Sequence, residues 1–366
     1  MFGLCIFTYI YIYLFIYLFL CHNARYKPGT PEFRRAGSFL CDGYYGVLVQ
    51  AAGDLDYYCK WLGCPNYGSH AKCCPLCRCT YKGQTSWLDN RKESKWQKTL
   101  VTVKNWRTHW DPSCLLFGLG GFTSLCIAMD FMHCMHLGWM QFFFASALLL
   151  LMEDCLEGTD VEKLRQIQQY IYHFQKETNS RYRFKQKLLK MTMVKPKKGF
   201  PKLRGRAADI HSLAGAIESL FAHYMDEADP NHGRIKLVLS LNRELSDLLD
   251  EYGPRYGFTA LPDQQAKRAY SIGLEMAQVH VHLQSLYEEE GRKLFNITTK
   301  THFVLHSLHL SAFIHPHLVW CYKGEATMHR LQTLWKSCLP GVKHWQVAKK
   351  AALKERHLLW MRCNKA

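Results

Sequence analysis

Cys74 and Cys77 flank Pro75-Leu76 on a stretch that reads as a turn. Two thiolates at that spacing present both sulfurs to one tetrahedral ion, and zinc suits sulfur and imidazole donors. Such a site needs two more ligands. His302 and His306 supply a pair: four residues apart on a helix, they share one face. Together these residues would form a Cys2His2 site for Zn2+ that joins the two ends of the β-rich part of the chain. Cys73 and Cys79 offer competing registers, and His309 continues the histidine stripe. The histidines therefore also fit a half-buried amphipathic face with no metal.

Acids follow short β-type runs at two places. Asp54 comes directly after Gly53 at the end of one run, where a carboxylate is well placed for Mg2+. The same position suits a helix cap, a role open to Asp56 as well. Asp130 and His133 follow a second run, with His136 three residues on. That spacing lets them orient one another or a metal, or simply serve a strand-end turn. Glu325 follows Gly324 at the expected start of the last helix, where an acid suits the helix dipole whatever else it does.

Between Arg181 and Arg206 there are eleven Lys/Arg and no acid, interleaved with Tyr182, Phe184 and Phe200. Arg181, Arg183, Lys185, Lys187, Lys195, Lys197, Lys198, Lys202, Arg204 and Arg206 could meet a phosphate backbone. The same segment also reads as a solvated linker.

These residues must be positioned by elements that the sequence outlines. Tyr44–Ala52 is a β-type run, followed by a helix to about Leu62. Residues 80–112 are polar with spaced tryptophans. Thr123–Met129 is a second strand candidate. Phe142–Met152 is apolar but too short to span a bilayer, and reads as a buried helix. Helical periodicity then dominates, over Val161–Phe174, Asp209–Asp226, Ile235–Tyr252 and Asp263–Phe295. A short helix over Thr298–Phe313, a strand over His317–Tyr322 and a helix from Glu325 complete the outline. The expected divisions are 1–27, an apolar N-terminal segment; 28–155, a β-rich part with the CxxC; 156–297, an all-α insertion; and 298–366, the return to the β-rich part.

The chain of 366 residues has 47 Lys+Arg against 30 Asp+Glu, a formal net charge of +17. That surplus favours a polyanionic partner, nucleic acid first and an acidic membrane surface second. With 48% hydrophobic residues it describes a folded chain. Its 16 Cys in a chain this long suit a reducing compartment rather than a disulfide scaffold. Residues 2–21 are long and apolar enough to span a membrane. Tyr recurs through that run, unlike a typical span, and its Tyr/Ile/Phe/Leu alphabet also matches translated A/T-rich repeat DNA.

Taken in order, the motifs resemble those of CACTA-type (En/Spm-like) DDE transposases. Gly53-Asp54, a helix, a turn with Asn66, Tyr67 and His70, and Cys74-x-x-Cys77 resemble the region of that family's second catalytic aspartate. Ala128 to Gly138, with Asp130 and His133, resembles its D/C-x-x-H motif. His302-x-x-x-His306 and then Glu325 follow in the family's order. The resemblance implies an α+β fold, helix-rich overall: a partial ribonuclease-H-like sheet core interrupted by a large all-α insertion. It implies Asp54 and Glu325 as the second and third metal-binding acids, Asp130 and His133 as a supporting pair, and Cys74, Cys77, His302 and His306 as zinc ligands. The family's first acid lies well upstream of the second, and only about fifty residues precede Asp54. The expectation is therefore an N-terminally truncated, catalytically incomplete copy. Its Mg2+ chemistry would be vestigial, while zinc and DNA binding persist in the nucleus. Two other readings stand beside it: a zinc-stapled DNA-binding or interaction module without catalysis, and a protein anchored through residues 2–21 with a basic cytosolic body.

Overall fold

The computed structural model describes residues 51–363, apart from 111–113, 119–120, 181–183, 185–188 and 342. The fold is α+β and helix-rich. Strands β1 (Ala51–Gly53) and β2 (Ile127–Met129) pair in parallel, with Gly53 opposite Met129. Parallel strands need a crossover between them. Here it comprises α1 (Leu55–Lys60) and a long irregular stretch that carries the cysteines. The register sets Asp54 beside Asp130, each one residue past its strand end. Tyr58 locks the arrangement: its hydroxyl accepts from the Gly53 N–H at 2.7 Å and donates to the Ala128 carbonyl.

The rest is helical. α2 (Met132–Cys155) runs through the centre, with wide π turns at both ends. Around it lie α3 (Asp160–Glu177), α4 (Met191–Val194), α5 (Ala207–Tyr224), α6 (Pro230–Glu251), α7 (Asp263–Glu289) and α8 (Thr299–His309). α9 (Tyr322–Lys336) and α10 (His344–Cys363) form a C-terminal pair. Local sequence explains several starts. Thr159 and Glu162 make a capping box on α3, and Asp229 caps α6 with Pro230 in its first turn.

One continuous apolar core runs from Ala51 to Leu308, so the helices of 156–297 share it with the strand region. Two polar links fix how they dock on α2. The Trp139 indole donates to His280 Nδ1 at 2.7 Å, and His280 Nε2 donates to the Phe295 carbonyl at 2.9 Å. Phe295 adopts a positive φ of 52°, unusual for a residue with a side chain, and its N–H is held by Ser146 Oγ at 2.8 Å.

Several elements differ from the sequence reading. The expected strand over His317–Tyr322 is a single 3-10 turn (Pro316–Leu318) running into α9, which starts at Tyr322 rather than at Glu325. Pro316 and the histidines around it favour a turn over a ladder position. Thr123 caps a 3-10 turn over Ser124–Cys126, leaving three residues for β2. The apolar run 142–152 extends in both directions and becomes long and apolar enough to cross a membrane. Yet 89% of its most apolar window is buried inside the protein, as befits a core helix. Residues 2–21 and 44–50 lie outside the described residues.

Burial holds His280 at a pKa of about 3 and also lowers those of His136, His211 and His317. Below a pH of about 6.5 the unfolded imidazoles take protons that the folded ones refuse, so acid favours unfolding. Each such histidine should cost about 1.4 kcal/mol of stability per pH unit below that point, down to its folded pKa. His280→Ala should lower stability by about 2–4 kcal/mol, because it leaves the indole and the Phe295 carbonyl unpaired beside a cavity. It should also make the acid limb shallower by one proton. Denaturant titrations of both proteins between pH 4 and 8 check this; parallel acid limbs would contradict it.

Candidate metal centre

The cysteine turn is built by its own backbone. The Leu76 N–H donates to Cys74 Sγ at 3.3 Å, and the Leu76 carbonyl accepts from the Val101 N–H at 3.0 Å. Cys77 bridges antiparallel to Leu100. His109 Nε2 donates to the Cys74 carbonyl at 2.7 Å, and the Trp110 indole donates to that of Pro75 at 3.2 Å. The spaced tryptophans of 80–112 thus wrap the turn. Trp96 is buried with its edge toward both histidine rings, at 4.5 Å from His302 and 5.5 Å from His306.

α8 supplies the other two donors. All its residues from Thr301 to Leu308 are buried, so the histidine face is one side of a core helix. α2 approaches its first turn at Gly138. A Cβ there would meet Lys300 Cβ at 2.8 Å and Lys300 Cδ at 2.6 Å, so only glycine allows the crossing at this distance.

Four donors converge. Cys77 Sγ lies 3.2 Å from His302 Nε2, Cys74 Sγ 3.4 Å from His306 Nε2, and the two Nε2 atoms 3.0 Å apart. All four ligand atoms lie within 4.8 Å of one another and are buried. Tetrahedral zinc, with Zn–S about 2.3 Å and Zn–N about 2.0 Å, sets S···N edges of about 3.5 Å, so the donor set fits a zinc ion. Burial keeps the His306 pKa below its ordinary value, which favours the neutral imidazole that metal binding requires. His302 Nδ1 is buried without a hydrogen-bond partner, so no protein group fixes its tautomer.

The strand ends carry the acids. Asp54 Oδ1 caps α1, accepting from the Tyr57 N–H at 2.7 Å. Asp130 is fully buried. Its Oδ1 accepts from the N–H groups of Met132 and Cys321, both at 3.0 Å, and its Oδ2 accepts from His133 Nδ1. Asp130 therefore orients His133 and anchors the start of α9. Glu325 lies in the first turn of that helix, on the backbone that Asp130 anchors. His136, also buried, takes the Tyr322 hydroxyl at 2.7 Å on Nδ1.

Of the basic segment, Arg181, Arg183, Lys185 and Lys187 lie outside the described residues. Lys195, Lys197, Lys198, Lys202, Arg204 and Arg206 are all exposed. Arg206 pairs with Asp209 at 3.2 Å, and Lys195 lies 3.6 Å from Glu153. Burial, Lys300 and Arg204 pull the Lys202 pKa down, placing three cations in one neighbourhood. Lys300 went unnoticed in the sequence because it stands alone there. It joins Lys202 and Arg204 only when α8 packs on α2.

Comparison with protein-family models, with curated proteins and with solved structures finds no match.

His302→Ala or Cys77→Ser should each lower zinc retention and the melting temperature. Stability should fall by about 1.4 kcal/mol for each tenfold loss of affinity at fixed free zinc. A chelator should destabilise the wild type and leave the two variants nearly unchanged; equal chelator sensitivity in all three would contradict the assignment. Gly138→Val should push α8 away from α2 and cost about 1–3 kcal/mol by overpacking. It should also weaken zinc retention, measurable by competition with a chromophoric chelator.

Proposed function

We propose that this chain is a transposase-derived, DNA-binding protein whose ribonuclease-H-like core is stapled by zinc. The observation that carries the reading is the meeting of Cys74 and Cys77 with His302 and His306 across the whole helical block. CACTA-type transposases, which the motif order resembles, use these residue types in this order. The parallel register that sets Asp54 beside Asp130, and the bond from Cys321 N–H to Asp130, also support it. In that family's sheet the acids gather at neighbouring strand ends. DNA is the partner that the exposed Lys197, Lys198, Lys202 and Arg204 would meet, with the nucleus as the matching compartment.

The reading is of a binder rather than a nuclease. Phosphodiester cleavage of this type needs carboxylates free to hold two divalent ions. Asp130 already accepts three hydrogen bonds in a site closed to solvent. That carboxylate serves to orient His133, and Asp54 serves to cap α1.

Duplex DNA should bind with an affinity that falls steeply with salt, log K against log [salt] having a slope of about −0.9 per phosphate contacted. Replacing Lys197, Lys198, Lys202 and Arg204 together by Ala should weaken binding to all sequences alike and flatten that slope by roughly one per contact removed. A salt-independent affinity, or one unchanged by the four substitutions, would sink the DNA reading. Supercoiled plasmid incubated with Mg2+ should stay uncut. Robust nicking that Asp54→Ala abolishes would show an enzyme instead.

A further inference from the structure

The cysteine segment carries two more sulfurs than one zinc site uses. Cys73, Cys74, Cys77 and Cys79 are all fully buried. Cys73 Sγ and Cys79 Sγ lie 3.4 Å apart, and the Cys79 sulfur also interacts with those of Cys74 and Cys77. The four sulfurs therefore form one basin, with the two imidazoles on its far side. Thiols explain this packing poorly. The Cys73 thiol finds only the Cys79 carbonyl, at a weak 3.9 Å, besides the sulfur it faces.

We propose that the basin binds two zinc ions, with Cys74 and Cys77 as bridging thiolates, His302 and His306 completing the first shell, and Cys73 and Cys79 completing the second. This extends the zinc reading above and rests on it. The ligand count closes: six side chains, two of them shared, give each ion the four donors that structural zinc takes. The charge closes too. Two divalent ions balance four thiolates, and the imidazoles stay neutral, so the buried cluster carries no net charge. Binding the second ion releases the protons of Cys73 and Cys79 to solvent. Two sulfurs on one zinc sit about 3.8 Å apart in tetrahedral geometry, and the observed 3.4 Å needs an opening of only a few tenths of an ångström. The second shell is all sulfur, so soft divalent ions of the zinc and cadmium class should fill it.

Metal content of the full chain, reconstituted with zinc under reducing conditions and without a histidine tag, tests this. The expected result is two zinc ions per chain in the wild type and one in Cys73→Ser/Cys79→Ser. One ion in the wild type would overturn the second site and leave the single-zinc reading standing. No ion would overturn both. Two ions in both proteins would place the second one elsewhere and overturn the proposal. Should the double variant fail to fold, cadmium-113 resonance of the wild type decides. Two signals coupled through shared sulfurs are expected; a single signal refutes the bridged pair.

Discussion

Four donor atoms within 4.8 Å of one another tie the turn at 74–77 to the helix at 299–309, and most of the architecture is arranged around that contact. The turn belongs to a stretch with little regular structure of its own. Such a stretch has few ladder bonds to offset its ordering entropy. It is held instead by caps, indole and imidazole donors to its carbonyls, and the closeness of α8. Two thiols and two imidazoles brought together out of water are costly without a partner. A metal ion converts that cost into binding energy, which is folding energy when the ligands are far apart in sequence.

α2 is the second organising element. It is buried nearly all round and lets neighbours approach by specific devices rather than by apolar contact alone. Gly138 admits the first turn of α8, and Ser146 holds the strained Phe295. Gln141 exchanges bonds with the backbone of Leu203, at the end of the basic segment. His280 joins Trp139 to Phe295 as a neutral, doubly bonded imidazole. Apolar packing would allow these helices several rotations about their axes, whereas satisfied buried polar groups admit few. The same groups make the core sensitive to acid.

The strand ends show how one geometry supports two chemistries. Two carboxylates just past neighbouring parallel strands could gather a divalent ion. Here each is committed to backbone and imidazole donors: Asp54 starts α1, and Asp130 fixes both His133 and the entry to α9. The cations behave differently. Lys197, Lys198, Lys202 and Arg204 keep their charge in water, and Lys300 adds to it from α8. A buried, saturated acid and an exposed basic surface suit holding a polyanion better than cutting one.

Spacing and periodicity alone determined the long helices, the CxxC turn and the histidine pair one helical turn apart. Each of these depends on residues within a few positions of one another. The pairing of Cys74 and Cys77 with His302 and His306 was legible only as an expectation, since nothing local links residues so distant. Short elements were the least legible. β1 and β2 are three residues each, and the stretch after His315 alternates like a strand but turns because Pro316 supplies no N–H. The roles of Trp96, His109, Gly138 and His280 were decided by tertiary structure. A closed edge contact, a carbonyl partner or a tight helix crossing exists only once distant segments meet. The choice between Asp130 as metal ligand and Asp130 as hydrogen-bond acceptor was settled in the same way, by an N–H from Cys321, 191 residues along the chain.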